Sequence, residues 1–102
     1  MGDQNGIAYA IGSLGEVEIG RGNLDRAEEF LTDALKRFQE LGNIQFVAEA
    51  TFRIAQLWRK RGNLDLAQQH YTIATTIFQN LGAAKDLERI QQEWLTLEDN
   101  PS

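Results

Sequence analysis

The apolar positions along this chain fall into five segments, and within each segment they recur at steps of three and four residues. This spacing gathers apolar side chains on one face of a helix, whereas a half-buried strand requires alternation with a period of two. No stretch of the sequence alternates in that way. The pattern predicts helices over about residues 3–20, 24–41, 44–61, 64–81 and 84–98, and therefore an all-α chain.

Each predicted helix has a stripe of apolar or small residues that is expected to face inward. In chain order these residues are Ile7, Ala8, Ile11, Leu14, Gly15, Ile19, Leu24, Ala27, Phe30, Leu31, Ala34, Leu35, Phe38, Leu41, Ile44, Val47, Ala48, Thr51, Ile54, Ala55, Trp58, Leu64, Ala67, Tyr71, Ala74, Ile77, Phe78, Leu81, Leu87, Ile90, Trp94 and Leu97. Within the first helix, Gly12 and Gly15 are candidate points of close approach by a neighbouring helix.

The predicted helices are separated by a recurring glycine signal. Gly22, Gly42 and Gly62 are each followed by asparagine, and Gly82 follows the fourth helix. Glycine suits the left-handed residue that ends a helix, and asparagine is a favoured N-cap of the next one. Turns of about two residues require neighbouring helices to run antiparallel.

The second and fourth helices are two copies of one pattern. Residues 21–41 read RGNLDRAEEFLTDALKRFQEL, and residues 61–81 read RGNLDLAQQHYTIATTIFQNL. Self-similarity at a fixed period of this length is typical of a repeat array. We interpret the chain as a single domain, 1–102, with repeat one at about 3–42, repeat two at about 43–82 and a C-terminal helix at about 84–98.

The spacing of small and large residues resembles the tetratricopeptide repeat (TPR) family. The first copy shows it through Leu14-Gly15, Gly22, Leu24, Ala27, Leu31 and Ala34-Leu35, and the second through Ile54-Ala55, Trp58, Gly62, Leu64, Ala67, Tyr71 and Ala74. The closest resemblance is to the subgroup with a 40-residue period and LG-N turns, which occurs in signalling scaffolds and regulatory ATPases. The resemblance implies antiparallel helix-pair repeats stacked into an α-solenoid.

Three features depart from the family pattern. The period is 40 residues rather than the common 34. Glu18 stands where the family prefers an aromatic residue, as Trp58 does in the second copy, and the proline that usually follows the second helix is missing. Armadillo and HEAT repeats have similar periods but lack this placement of glycine and alanine.

Composition narrows the classes of function. The net charge of −5 disfavours nucleic acid as a partner, because binding a phosphate backbone requires a basic face. The chain has no cysteine, which removes disulfides and thiolate metal sites. No apolar run approaches the ~18 residues that span a bilayer, and the first residues lack a signal-peptide pattern. We expect a cytoplasmic chain without a membrane partner.

The sequence carries no recognisable catalytic constellation. HExxH, GxSxG and glycine-rich phosphate-loop motifs are absent. The single histidine, His70, corresponds to Phe30 in the first copy, which favours a packed or surface position over a catalytic one. We therefore expect no enzymatic activity, no cofactor and no metal.

The resemblance implies that the first helix of each pair lines a concave groove that binds a peptide. Carried over residue by residue, the groove residues are Tyr9, Gly12, Ser13, Glu16, Glu49, Phe52, Arg53, Gln56, Lys60, Arg89, Gln92, Glu93 and Thr96. Gly12 and Glu16 stand where the chaperone-binding subgroup carries two clamp residues, so binding of chaperone tails is not expected.

Phe52 lies off the inward stripe of its helix, which suggests an exposed aromatic anchor beside Arg53. We expect replacement of both residues by alanine to abolish binding without unfolding the chain. The alternative is that Phe52 packs on the first or fifth helix. A second open question concerns the basic run of Arg59, Lys60 and Arg61. In one interpretation these residues complement the dipole at the end of their helix. In the other, Arg59 joins Arg53 and Arg89 in binding an acidic peptide.

Two functions follow as hypotheses. The first is a non-catalytic interaction module that binds a protein or peptide in the groove, within a scaffold or regulatory protein. The alternative is self-assembly into a homo-oligomer, because solenoids need polar caps at both ends to stay monomeric. The fifth helix carries a polar face around Glu88, Gln91, Gln92 and Glu93, whereas the first presents Ile7, Tyr9, Ile11 and Val17 without a preceding partner.

Overall fold

A computed structural model of the chain describes the backbone of residues 3–98 and the side chains of residues 3–96. Within that range the chain forms five helices and no strand: α1 (Gln4–Arg21), α2 (Leu24–Leu41), α3 (Ile44–Lys60), α4 (Leu64–Leu81) and α5 (Ala84–Glu98). The all-α prediction is confirmed for these residues. The predicted helix boundaries differ from the observed ones by a single residue at the ends of α1 and at the end of α3. The predicted inward side chain of Leu97 lies outside the described residues.

The glycine turns adopt the conformation that the sequence predicts. Gly22, Gly42, Gly62 and Gly82 have φ angles of 82°, 72°, 84° and 69°, in the left-handed region that L-residues with a side chain rarely occupy. After each of these glycines the next helix begins within two residues. The turns are therefore short enough to fold each helix back against the one before it.

Two of the three asparagines cap the following helix with their side chains. The side-chain oxygens of Asn43 and Asn63 accept hydrogen bonds from the backbone N–H groups three residues later, at 3.2 and 3.1 Å. Asn23 is likewise the N-cap residue of α2, as predicted, but it differs in its hydrogen bonding. Its side chain makes no capping hydrogen bond and instead donates to Glu18 Oε1 at 3.0 Å. Glu18, the acidic residue that departs from the family pattern, thus accepts the hydrogen bond of the Asn23 side chain, which does not cap α2.

Consecutive helices pack against each other, and the first pair touches through small residues. A Cβ placed on Gly15 would lie 2.7 Å from Cγ of Leu31, and one on Gly12 would lie 3.5 Å from Cβ of Ala34. The residue numbers fall along α1 as they rise along α2, so the two helices are antiparallel. The close approach predicted at Gly15 is confirmed, while Gly12 is at ordinary contact distance.

The apolar core lies mainly around α3, which packs on α2 on one side and on α4 on the other. Because it is covered on two sides, α3 buries eight residues, among them Ala50, Phe52 and Leu57, which its single predicted stripe omits. Phe52 and Leu57 are fully buried. A single inward stripe accounts for only one neighbouring helix. It therefore underestimates how many residues are buried on a helix that packs between two neighbours.

Several predicted inward residues are instead exposed. They are Ile7, Leu14, Leu41, Ile44, Leu64 and Leu81. Leu41, Ile44, Leu64 and Leu81 are the first or last residues of their helices, where the chain turns and the neighbouring helix no longer covers them. Ile7, near the start of α1, and Leu14, in its middle, lie on a side that no other described helix covers.

The odd-numbered helices lie side by side and run parallel. Asn5 and Glu16 of α1 contact Asn43 and Arg53 of α3. Glu49 and Arg53 of α3 contact residues of α5 exactly one 40-residue period further along the chain. These cross-period contacts bring the faces of α1, α3 and α5 onto one side of the molecule.

Candidate binding cleft

An open cleft of about 310 Å³ lies between α1 and α3, with α5 at one end. It exists because the short side chains of Gly12, Ser13 and Ala50 line it where two parallel helices pass each other. Its larger lining residues are aromatic, charged or polar, except for the buried Leu31 of α2. The cleft is therefore a recess with an aromatic wall and a polar floor, the combination that ligand-binding sites commonly show.

The aromatic wall consists of Tyr9 from α1 and Phe46 from α3. Their ring centroids are 5.7 Å apart in an edge-to-face arrangement, and Phe46 also packs on the buried Phe38 at 5.0 Å. Tyr9 keeps 57% of its surface exposed, so its ring is available to a ligand. Phe46 was missed in the sequence prediction. Its spacing of three residues from Glu49 and seven from Arg53 is the signal that places it on the same helix face.

The floor of the cleft is a network of ion pairs around Arg53. Its guanidinium contacts Glu16 at 3.5 Å, Glu49 at 3.2 Å and Glu93 at 3.2 Å, joining α1, α3 and α5. The Arg53 side chain is only 16% exposed, whereas that of Glu16 is 53% exposed. Arg53 therefore acts as an internal clamp, and Glu16 is the carboxylate most accessible at the rim.

Arg89 of α5 completes the network. Its guanidinium donates to both oxygens of Glu49, to Glu93 at 3.1 Å and to Asp86 at 3.4 Å. Burial lowers the pKa of Arg89, but the hydrogen bonds and charge of Glu49, with those of Glu93 and Asp86, outweigh burial and raise the pKa above its ordinary value. Arg89 is therefore a permanent cation, and the network does not lose it at any physiological pH.

The network has an excess of negative charge. Two guanidiniums, those of Arg53 and Arg89, are surrounded by the four carboxylates of Glu16, Glu49, Asp86 and Glu93, which leaves a net charge of −2. Asp86 was not predicted as a site residue, although it lies three positions before Arg89 on the same helix face. The electrostatic field of the cleft thus attracts cations and repels anions.

Most of the predicted groove residues come together in this cleft or beside it. Tyr9, Gly12, Ser13, Glu16, Glu49, Arg53 and Arg89 line the cleft. A shallower depression between α3 and α5 adjoins it through Arg89 and contains Gln56, Gln92, Glu93 and Thr96. Lys60 lies outside both recesses, on the exposed last turn of α3.

Phe52 is not part of the cleft, and its prediction as an exposed anchor is wrong. The residue has no exposed surface. Its ring lies 6.2 Å from those of both Tyr71 and Trp94, so it packs between α4 and α5. The alternative, in which Phe52 packs on the fifth helix, is the correct one. Truncation of such a buried aromatic costs about 3–5 kcal/mol of stability, so the expected binding-only defect of Phe52→Ala does not follow.

The basic residues at the end of α3 do not converge with Arg53 and Arg89. Arg59 lies over the Trp94 ring at 4.3 Å and donates to the Trp94 backbone oxygen at 3.0 Å. Arg61 contacts Asp25 and Glu28 of α2, each at 2.6 Å. A hydrogen bond with Glu28 is the main reason that the pKa of Arg61 is raised. Both arginines thus join helices, and the hypothesis of an arginine trio facing an acidic peptide lacks the geometry that it needs.

Among the side chains of residues 3–96, no group of three or more histidines, cysteines or carboxylates could hold a metal ion. His70 is half-buried on α4, away from the cleft, and burial lowers its pKa. No helix in this part of the chain has the length and apolar character of a membrane span.

Comparison of the chain with protein-family models, with curated proteins and with solved structures finds no match.

Proposed function

We propose that this chain is a non-catalytic, TPR-like interaction module of the cytoplasm, which binds a protein segment in the cleft between α1 and α3. The antiparallel helix pairs, the glycine turns and the contacts repeated at 40 residues support the solenoid interpretation. The segment it binds carries lysine or arginine together with an aromatic or apolar side chain. Scaffolding or regulation within a larger assembly is the role that fits such a module.

The observation that carries this proposal is the pairing of an exposed aromatic wall with a floor of negative charge. Tyr9 offers a ring to a partner side chain, and aromatic residues recur in binding hot spots. Glu16, at the rim, offers a carboxylate to a cation of the partner. Charge complementarity of this kind favours basic partners and disfavours acidic ones.

The ion pairs that cross between the helices of the cleft also support binding. Arg53 and Arg89 tie α1, α3 and α5 together, so the recess is formed before a ligand arrives. A preformed site avoids part of the ordering cost that association otherwise carries.

Selection of peptides from a random displayed library on the immobilised chain tests the proposal. We expect the enriched peptides to contain lysine or arginine beside an aromatic residue. Glu16→Lys is expected to weaken the binding of the most enriched peptide about tenfold or more, and Tyr9→Ala to weaken it by a similar factor.

The matched control is Glu29→Lys, which makes the same charge change on an exposed position of α2 that does not line the cleft. It is expected to leave the affinity within about twofold of the original value, because an exposed charge outside the cleft is screened by salt. Enrichment of acidic peptides, or equal loss of affinity in the Glu16→Lys and Glu29→Lys variants, would refute the proposal.

A further inference from the structure

One side of α1 carries an exposed apolar seam. It consists of Ile7, Ala10, Leu14 and Val17, spaced by three, four and three residues. Ile7, Leu14 and Val17 are 41%, 49% and 50% exposed. Alternating steps of three and four average 3.5 residues, which is the spacing of residues in a helix-to-helix seam. The seam is separate from the side of α1 that lines the cleft.

The internal repeat indicates what this seam is suited to contact. Forty residues further along, its counterparts in α3 are Val47, Ala50, Ile54 and Leu57, and all four are buried. They pack with residues of α2, in clusters that include Leu31, Ala34 and Phe38. In α3, these positions of the repeat therefore form an interface with the antiparallel helix α2. In α1, no described helix covers them.

The ends of the seam carry opposite charges. Asp3 lies four residues before Ile7, and Arg21 lies four residues after Val17, so both continue the seam. Arg61, which directly follows α3 and is the counterpart of Arg21, forms ion pairs with Asp25 and Glu28 of α2. At this position of the repeat, Arg61 thus joins two antiparallel helices, α2 and α3.

We propose that the α1 seam binds the α1 seam of a second copy of this chain, with the two helices antiparallel. In that arrangement Ile7 faces Val17 of the other copy, and Ala10 faces Leu14. Asp3 of each copy then meets Arg21 of the other. A parallel pair would instead bring Asp3 against Asp3 and Arg21 against Arg21, so charge selects the antiparallel orientation.

The opposite end of the molecule is a poor alternative partner for the seam. The outer side of α5 exposes Glu88 and Gln91 beside Leu95, and a seam of aliphatic side chains placed on it would desolvate the two polar side chains. Head-to-tail stacking of copies is therefore disfavoured relative to a two-fold symmetric pair, which closes after two copies. The two clefts remain open in such a dimer, and the inference does not depend on what they bind.

Cysteine cross-linking tests both the contact and its direction, because the natural chain has no cysteine. We expect a copy with Ile7→Cys to form a disulfide with a copy carrying Val17→Cys, and neither variant to cross-link efficiently with itself. Self-cross-linking of each variant would indicate a parallel pair and overturn the proposal. Ile73→Cys, at an equally exposed apolar position on α4, gives the background rate. A mixed yield no higher than that background would also overturn it.

A second experiment measures the strength of association by sedimentation equilibrium across a hundredfold dilution. Leu14→Gln is expected to weaken dimerisation about tenfold or more, because it places an amide in the apolar seam. Ile73→Gln is the matched control, since Ile73 and Leu14 are both 49% exposed, and it is expected to leave dimerisation unchanged. A monomer throughout the dilution range for the natural chain would refute the dimer.

Charge exchange provides a variant pair that leaves the apolar residues intact. Asp3→Lys and Arg21→Asp are each expected to weaken self-association, because each brings like charges together at both ends of the seam. An equimolar mixture of the two variants is expected to recover dimers, since both ends then pair opposite charges. Failure of the mixture to associate better than either variant alone would contradict the antiparallel arrangement.

Discussion

At the scale of single residues, the two copies of the repeat show which positions serve packing and which serve other purposes. Glu18 stands where the second copy has Trp58, and it is buried, with Arg26 at 3.1 Å and Asn23 at 3.0 Å from its carboxylate. A charged residue at such a position requires partners. The partners of Glu18 come from its own turn and from the start of α2, so the substitution redirects local hydrogen bonds without opening the core.

His70 provides a residue-scale prediction about pH. Burial lowers its pKa from 6.5, so the folded chain resists protonation more than the unfolded chain does. The unfolded state binds more protons between the folded pKa and 6.5, and stability therefore falls as the pH decreases through that interval. We expect His70→Phe, which installs the residue found at Phe30 in the first copy, to remove this part of the acid destabilisation.

Thermal unfolding of the natural chain and the variant between about pH 5 and about pH 8 measures this difference. The difference in unfolding free energy between the His70→Phe variant and the natural chain is expected to widen as the pH falls below 6.5. His70→Gln controls for the added apolar surface, since glutamine does not titrate either. If the difference in stability between each variant and the natural chain stays constant with pH, burial of His70 does not cause the acid destabilisation.

At the scale of helices, the sequence predicts the elements well and their exposed sides less well. Helix ends are local properties, set by glycine and asparagine, and were located to within one residue. The inward stripes of α2 and α4 are confirmed at Ala27, Leu31, Ala34, Ala67, Ala74 and Phe78. The misassigned residues depend on which other helices are nearby. Phe52 is buried because α5 covers it, and no pattern within α3 carries that information.

The α1–α2 contact gives a prediction at this scale. Gly15→Ala would place a Cβ 2.7 Å from Leu31, whereas a Cβ at Gly20 would meet nothing within 4 Å. We expect Gly15→Ala to destabilise the fold by about 1–3 kcal/mol through overpacking. Gly20→Ala is expected to stabilise it by up to about 1 kcal/mol through higher helix propensity.

Urea-induced unfolding of the two variants under identical conditions measures both effects. The comparison holds the chemical change constant, since each variant adds one methyl group to the same helix. If both variants are stabilised to the same extent, then α1 and α2 are not in close contact at Gly15.

At the scale of the whole molecule, the cleft could be predicted only in part. The lining residues of α1 and α3 were identified through the resemblance, because a parallel pair of repeated helices places equivalent residues side by side. The charge of the cleft was not predicted. Part of the pairing has a local signal, because Glu49 lies four residues before Arg53 and Glu93 four residues after Arg89. Only the folded chain adds the contacts of Arg53 with Glu16 and Glu93 and of Arg89 with Glu49. These contacts between helices have no local signal, so the net charge of the cleft is a property of the folded chain.

The asymmetry of the two ends is also a property of the whole molecule. The seam positions of α3 are covered by α2 and those of α1 are exposed, while the outer side of α5 exposes Glu88 and Gln91 beside Leu95. The proposed antiparallel pairing of two α1 seams uses each seam once and closes after two copies, so it does not lead to a polymer. Self-association and peptide binding would then use different sides of α1.

The most direct test of the central claim, that the cleft binds a basic segment, is an amide NMR titration with two matched peptides. One is the peptide most enriched by selection, and the other is the same peptide with each lysine and arginine replaced by glutamate. We predict that the basic peptide shifts the amide signals of Tyr9, Ser13, Glu16 and Phe46, and that the acidic peptide leaves them in place. Equal perturbation by both peptides, or perturbations confined to residues outside the cleft, would contradict the account.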